Sequence, residues 1–266
     1  MTMRKKSISE SRKTVVYGPV TSWRLGRSLG IDLISTQKKG CTFDCVYCQL
    51  GKSTHRVTER RVFVPACEVL AQVEALRDCI ADYYTFSGMG EPTLAANIGE
   101  VIQKIKSVSP VPVAVLTNSS LISKAEVRDE LSFADYVIAK LDGACEETFG
   151  KVNRPSKGFT LQGIIEGLIE FKKIFKGRLA IQTMVTEENA GEVRAMAAVV
   201  KKIGPHEIQI NTPFRPCKVK PLERDEIYAL KNAFQGINVL TVYDRERRTP
   251  HEPLSLEETL RRRPAL

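Results

Sequence analysis

Six apolar, β-rich runs alternate with amphipathic stretches along this chain, and that alternation restricts the fold more than any other sequence feature. The runs are Leu29 to Ser35, Tyr83 to Ser87, Val111 to Thr117, Tyr136 to Leu141, Leu179 to Val185 and Glu207 to Thr212. Between and after them the spacing predicts helices over 66–81, 95–107, 124–132, 161–175, 192–203 and 223–235. In the fourth, Leu161, Ile164, Ile165, Leu168 and Ile169 repeat at helical period. Strand–helix alternation of this kind builds right-handed βαβ units around a parallel sheet. Six units are too few for a closed eight-stranded barrel. The expectation is an α/β fold in the form of a partial barrel, open on one side, with a flat doubly wound sheet as the alternative. In both, functional residues gather beyond the carboxyl ends of the strands.

Composition narrows the class. At 266 residues with 42% hydrophobic and 27% charged side chains, the chain is neither disordered nor a small disulfide scaffold. No run reaches the roughly 18 apolar residues of a membrane span, so no membrane partner is expected. The basic start MTMRKKSISESRK has no apolar stretch behind it, unlike a secretory signal. Seven cysteines without such a signal suggest the cytoplasm, where thiols serve metals or catalysis. The net charge is +9, and much of it lies in residues 1–13 and 245–266, expected to be a flexible basic N-terminus and a basic tail flanking a domain at 14–244. Residues 37–61 are also basic, with Lys38, Lys39, Lys52, Arg56, Arg60 and Arg61 against Asp44 and Glu59. That stretch attracts an anionic partner.

Beyond the first strand, CTFDCVYCQLG places Cys41, Cys45 and Cys48 at C-x3-C-x2-C spacing. Three thiolates from one loop hold three irons of a four-iron cluster and leave the fourth open. A structural zinc site would need a fourth ligand, His55 or Cys67, and an electron-transfer cluster a fourth cysteine. The second strand ends in FSGMGEPT. Gly88 and Gly90 allow close backbone approach there and Glu91 adds an anion, although an ordinary Gly-rich turn before a helix reads the same way. Thr117, Asn118, Ser119, Lys140 and Asp142 stand at the ends of the third and fourth strands, where turn and cap chemistry is the plainer reading. Gln182, Asn211, Arg215 and Cys217 follow on the fifth and sixth, and Arg24 and Arg27 flank Gly26 ahead of the first.

The cysteine loop, with its aromatic just before the third Cys, resembles that of the radical S-adenosylmethionine (radical SAM) enzymes. That resemblance implies a partial (β/α)6 TIM-like barrel, a [4Fe-4S] cluster on Cys41, Cys45 and Cys48, and S-adenosyl-L-methionine chelated to the open iron. It implies reductive cleavage of that cofactor to a 5′-deoxyadenosyl radical, which abstracts hydrogen from a substrate. Tyr47 would lie against the adenine, and Gly88, Met89, Gly90 and Glu91 would hold the methionine part. Asn118 and Asp142 are further candidates for cofactor contact. A one-electron reductant of flavodoxin or ferredoxin type is the implied partner.

Residues 15 to about 222, including ETFGKVNRP, are similar to an uncharacterised branch grouped with the tRNA wyosine synthases. This favours RNA or tRNA as substrate. Modification of a protein or peptide side chain, or a non-catalytic iron–sulfur or RNA-binding module, are the alternatives. Archaeal wyosine synthases carry upstream cysteines for a second cluster, and no Cys precedes Cys41 here. The end, HEPLSLEETLRRRPAL, looks like the opening of a truncated winged-helix extension.

Overall fold

The structure is a computed structural model that describes residues 14–53, 56–244 and 253–263. The basic start at 1–13 and part of the tail lie outside the described residues, as does His55. Among the described residues, one sheet of eight strands runs in chain order: β1 (Val16–Ser22), β2 (Gly26–Ile31), β3 (Tyr83–Phe86), β4 (Val113–Thr117), β5 (Tyr136–Lys140), β6 (Arg178–Met184), β7 (Glu207–Asn211) and β8 (Val239–Thr241). β1 pairs antiparallel with β2, and every later pair is parallel. A doubly wound sheet reverses its strand order at a switch point. Here each strand pairs only with the next, and β1 and β8 are left as edges. The architecture is therefore the open, partial barrel.

The helices are α1 (Ala66–Ala75), α2 (Ile98–Val108), α3 (Ala125–Leu131), α4 (Glu146–Val152), α5 (Leu161–Ile174), α6 (Val193–Ile203), α7 (Arg224–Leu230) and α8 (Leu256–Arg262). α2 shows why they dock: Ile98, Val101, Ile102 and Ile105 share one face and are fully buried. Each such side chain contributes about 1.5–3 kcal/mol by leaving water.

Alternation along the strands divides the core into two layers. Val113 and Val115 of β4, Val137 and Ala139 of β5, and Leu179 and Ile181 of β6 join the main core with the helices. The residues between them, Ala114, Tyr136, Ile138 and Ala180, form a second small cluster with Leu25 inside the barrel. Two alanines in that layer leave room in the lumen. Towards the amino ends of the strands, Tyr136 donates to Glu207, and Gln209 Nε2 donates to both Tyr136 Oη at 2.6 Å and Glu207 Oε1 at 2.7 Å.

Several expectations shift. The first parallel strand is Gly26–Ile31 rather than Leu29–Ser35, because Asp32 beyond it turns the chain by accepting from Ile34 N and Ser35 N. The first helix stops at Ala75 instead of 81, with no basic residue in its last turn. Residues 231–234 of the last expected helix form a 3-10 turn. Residues 253–263 of the expected tail include α8, whose Ser255 cap accepts from Glu258 N. Leu254 N donates to Gly18 O on the edge strand β1. Among the described residues, no helix is long and apolar enough to cross a membrane.

Candidate active site

A cavity of about 420 Å³ opens in the barrel, within the roughly 300–1,000 Å³ range of small-molecule sites. Cys41, Cys45 and Cys48 line it together with Tyr47, Gly88, Gly90, Glu91 and Asn118. Residues scattered over 77 positions of sequence thus face one space, because the loops after β2, β3 and β4 sit side by side. All seven cysteines are free, and Cys67 is exposed on α1 and does not line the cavity.

The cysteine loop is fastened by backbone. Gly40 N donates to Met89 O at 2.8 Å, and Glu91 N donates to Gly40 O at 3.0 Å, so the loop after β2 is stitched to the turn after β3. This close approach requires glycine: a Cβ on Gly90 would lie 1.7 Å from Gly40 O. Gly88 has φ +144 and faces Asp32.

Glu91 is buried, and its carboxylate is fully occupied. One oxygen accepts from Thr93 N at 3.1 Å, Thr93 Oγ1 at 2.7 Å and Thr117 Oγ1 at 2.7 Å; the other accepts from Asn118 N at 2.6 Å. Burial nonetheless raises its pKa above the ordinary carboxylate value, against the hydrogen bonds that lower it. Glu91 thereby ties the ends of β3 and β4 together. Asn118 in turn points its amide at Thr42 Oγ1, 2.8 Å, and at Cys41 Sγ, 3.4 Å.

Asp142 lies behind the wall rather than on it. It accepts from Tyr47 Oη, from Asn153 Nδ2 at 2.7 Å and from Met184 N at 2.7 Å, and pairs with Lys140 Nζ at 3.0 Å. Its carboxylate holds the Tyr47 hydroxyl, and Asp142, expected at a cofactor contact, is not among the residues that line the cavity. Met89 is likewise buried and contributes its carbonyl to Gly40 rather than a side chain to the cavity. Thr117, Lys140, Gln182, Asn211 and Arg215 do reach the cavity wall. Cys217 bonds Val219 O instead.

Sequence reasoning missed Asn153. From the residue capping α4, it contacts Cys45 Sγ at 3.5 Å and Tyr47 Oη at 3.2 Å. Its only sequence signal was membership of ETFGKVNRP. Lys39 was counted only as surface charge, yet it is buried against Asp44 at 3.6 Å. Burial works to lower its pKa, but the neighbouring Cys48, Cys41 and Cys45 sulfurs raise it overall.

The donor set suits an iron–sulfur cluster. Burial, then the neighbouring Cys45 and Glu91, push the Cys41 thiol up to about 12; burial and then Asp142 push Cys45 up to about 11. Half-buried thiols of this kind become thiolates when a cation supplies the compensating charge. Among the described residues, no three His, Cys, Asp or Glu side chains converge on a single-ion point. A four-iron cluster asks for something else, one sulfur per iron from a spread-out loop.

Comparison with known proteins agrees with this arrangement. The profile of the Radical SAM superfamily matches residues 38–200, which hold the cysteine loop and β3 to α6. This chain belongs to the radical SAM superfamily. Its members are enzymes that use a [4Fe-4S] cluster and S-adenosyl-L-methionine, and these are its cofactors. The chain is 43% identical over 212 residues to a UPF0026 protein of Synechocystis sp., covering 79% of this chain and 78% of that one. It is 37% identical over 224 residues to a UPF0026 protein of Methanocaldococcus jannaschii, covering 80% and 68%. Among solved structures, TYW1 with a lysine–pyruvate adduct bound superposes with a TM-score of 0.60 at 17% identity, covering 79% of this chain and 74% of that chain. At that identity the likeness is one of fold.

Proposed function

We propose that the barrel cavity is the reaction chamber of a radical SAM enzyme, with Cys41, Cys45 and Cys48 holding the cluster. The observation that carries this is the convergence of those three free thiols on one cavity wall with Gly88, Gly90 and Glu91. When bound, the reduced cluster and S-adenosyl-L-methionine supply a carbon radical for hydrogen abstraction. The protein's residues bind and orient. Tyr47, held by Asp142 and Asn153, presents its ring beside the thiols. Glu91 fixes the turn whose backbone approaches the cofactor's methionine part, and Asn118 braces Cys41.

The domain is residues 14–244 with the C-terminal arm packed onto it. RNA is the favoured substrate class, supported by exposed Lys38, Lys52 and Arg56 near the cysteine loop and by the likeness to the wyosine synthase branch. The same charges suit an acidic flavodoxin- or ferredoxin-type reductant, and seven free cysteines suit the cytoplasm.

The test is anaerobic reconstitution with iron and sulfide, then dithionite and S-adenosyl-L-methionine. The wild type should form 5′-deoxyadenosine and Cys45→Ala none, and tRNA rather than cell peptides should raise the yield. A fully loaded wild-type protein that forms none with either substrate pool rules the reading out.

A further inference from the structure

Two asparagine side chains face the cysteine loop from different segments, and each brings an amide N–H to a different sulfur. Asn118, in the turn after β4, places Nδ2 3.4 Å from Cys41 Sγ. Asn153, the residue capping the carboxyl end of α4, places Nδ2 3.5 Å from Cys45 Sγ. A thiol sulfur is a weak acceptor. A thiolate is an anion, and hydrogen bonds to ionised acceptors are roughly twice as strong as neutral ones.

Other bonds hold both amides in place. Ser120 N donates to Asn118 Oδ1 at 2.9 Å, which fixes the NH2 end towards Cys41, and Nδ2 also donates to Thr42 Oγ1 at 2.8 Å. The backbone N–H of Asn118 is bound to Glu91 at 2.6 Å. Asn153 Nδ2 donates to Asp142 Oδ2 at 2.7 Å. An ionised carboxylate only accepts, so it fixes the NH2 end of Asn153 as well. Behind this residue, Asp44 N donates to Asn153 O at 3.1 Å and Val46 N to Val152 O at 3.0 Å. The cysteine loop thus rests on the carboxyl end of α4, and the same contact carries the Asn153 amide to Cys45. That amide also stands between the Asp142 carboxylate and the Cys45 sulfur, two groups that repel each other once both are anionic.

We propose that Asn118 and Asn153 set the reduction potential of the cluster by donating N–H bonds to Cys41 and Cys45. This rests on those thiols holding the cluster. One electron from a flavodoxin- or ferredoxin-type donor, or from a chemical reductant, adds one negative charge to the irons and their sulfurs. N–H groups aimed at the sulfurs favour the more negative state and so raise the potential. An asparagine amide is neutral, so it acts without a charge that a change of pH could remove.

The midpoint potential of anaerobically reconstituted protein would be read by electron paramagnetic resonance during titration with titanium(III) citrate. S-adenosyl-L-methionine is left out, so that cofactor contacts do not enter. Asn118→Leu and Asn153→Leu should each lower the reduced-to-oxidised ratio at a fixed potential about tenfold, which for one electron is about 59 mV. The double variant should lower it further than either. Asn97→Ser is the control: Asn97 is buried and does not line the cavity, and its Nδ2 holds Val64 O at 3.0 Å. Its loss should lower Tm and leave the midpoint at the wild-type value. Iron content and melting curves are taken on every sample, and Asn118→Ser and Asn153→Ser serve where a leucine form loads poorly.

Wild-type midpoints in both single variants overturn the proposal and leave the enzyme assignment standing. So does a midpoint that falls as far in Asn97→Ser, because the effect would then be general loosening. Loss of iron from both the leucine and the serine form of either residue would make that amide a fastener of the loop, again against the proposal. Unchanged midpoints with weakened S-adenosyl-L-methionine binding, read by equilibrium dialysis, would give the amides to the cofactor instead. A wild-type protein with no reducible cluster removes the reading of the site itself, and the proposal with it.

Discussion

Gly90→Ala should leave a folded barrel that cannot hold its cluster. The added methyl would sit 1.7 Å from the Gly40 carbonyl oxygen and 2.5 Å from its carbon, and both are backbone atoms that no rotamer change can move. Relief requires the segment carrying Gly40 to withdraw from the turn carrying Met89 and Glu91. That would break the Gly40 N to Met89 O and Glu91 N to Gly40 O bonds. Overpacking of this kind costs about 1–3 kcal/mol, occasionally more, and the two lost bonds add about 1 kcal/mol each. Cys41 is the next residue, so the displacement reaches a candidate ligand at once. Iron content after reconstitution should fall from about four per chain to well under half of that, with a near-native far-ultraviolet spectrum. Gly150→Ala is the control: its Cβ meets nothing within 4 Å, and in α4 alanine should be neutral or stabilising by up to about 1 kcal/mol. A Gly90→Ala protein as rich in iron as wild type would remove the stitched loop from the account.

Arg262→Met should produce the largest stability loss of any substitution in the C-terminal arm. Arg262 is 0% exposed, with Nε 2.8 Å from Asp32 Oδ2, Nη2 2.6 Å from Thr14 O and 3.3 Å from Ser35 Oγ, and Nη1 on Glu258. Its guanidinium lies 5.1 Å over the Tyr17 ring. Removing it strands Asp32, 1% exposed, at the end of β2, and breaking a buried pair from one side costs about 3–5 kcal/mol. The expected drop in Tm is about 10 °C or somewhat more for a chain of this size. Adding Asp32→Asn to Arg262→Met should recover part of the loss, because the amide needs no counter-charge while still accepting from Ile34 N and Ser35 N. If Arg262→Met melts as wild type, the arm is not part of the cooperative fold.

These two cases also mark how far the sequence could be read. The barrel was legible because Ile98, Val101, Ile102 and Ile105 show a helical stripe and Val113, Val115 and Leu116 an apolar run. Both are local patterns. The three cysteines were legible because their spacing is local too. β1 and β8 were harder. β1 carries Gly and Pro, and β8 is three residues long, VLT, so neither shows a clear period. Arg262 was invisible as a buried residue because Asp32 and Thr14 stand 230 and 248 positions away. In sequence it is one of three consecutive arginines in what reads as a solvated tail. Glu91 and Asp142 were legible as site residues from their places at the strand ends, but their hydrogen-bond partners were not. Only three-dimensional neighbours such as Thr117, Met184 and Asn153 reveal that their carboxylates are already occupied.

The central claim is that the thiols of Cys41, Cys45 and Cys48 hold a cluster with one iron left open to S-adenosyl-L-methionine. Low-temperature electron paramagnetic resonance of the anaerobically reconstituted, dithionite-reduced protein tests it most directly. The account predicts a reduced-cluster signal that shifts when S-adenosyl-L-methionine is added and is absent from Cys45→Ala. A signal of full intensity that the cofactor leaves unchanged would contradict it, because it would mean a cluster with no open iron.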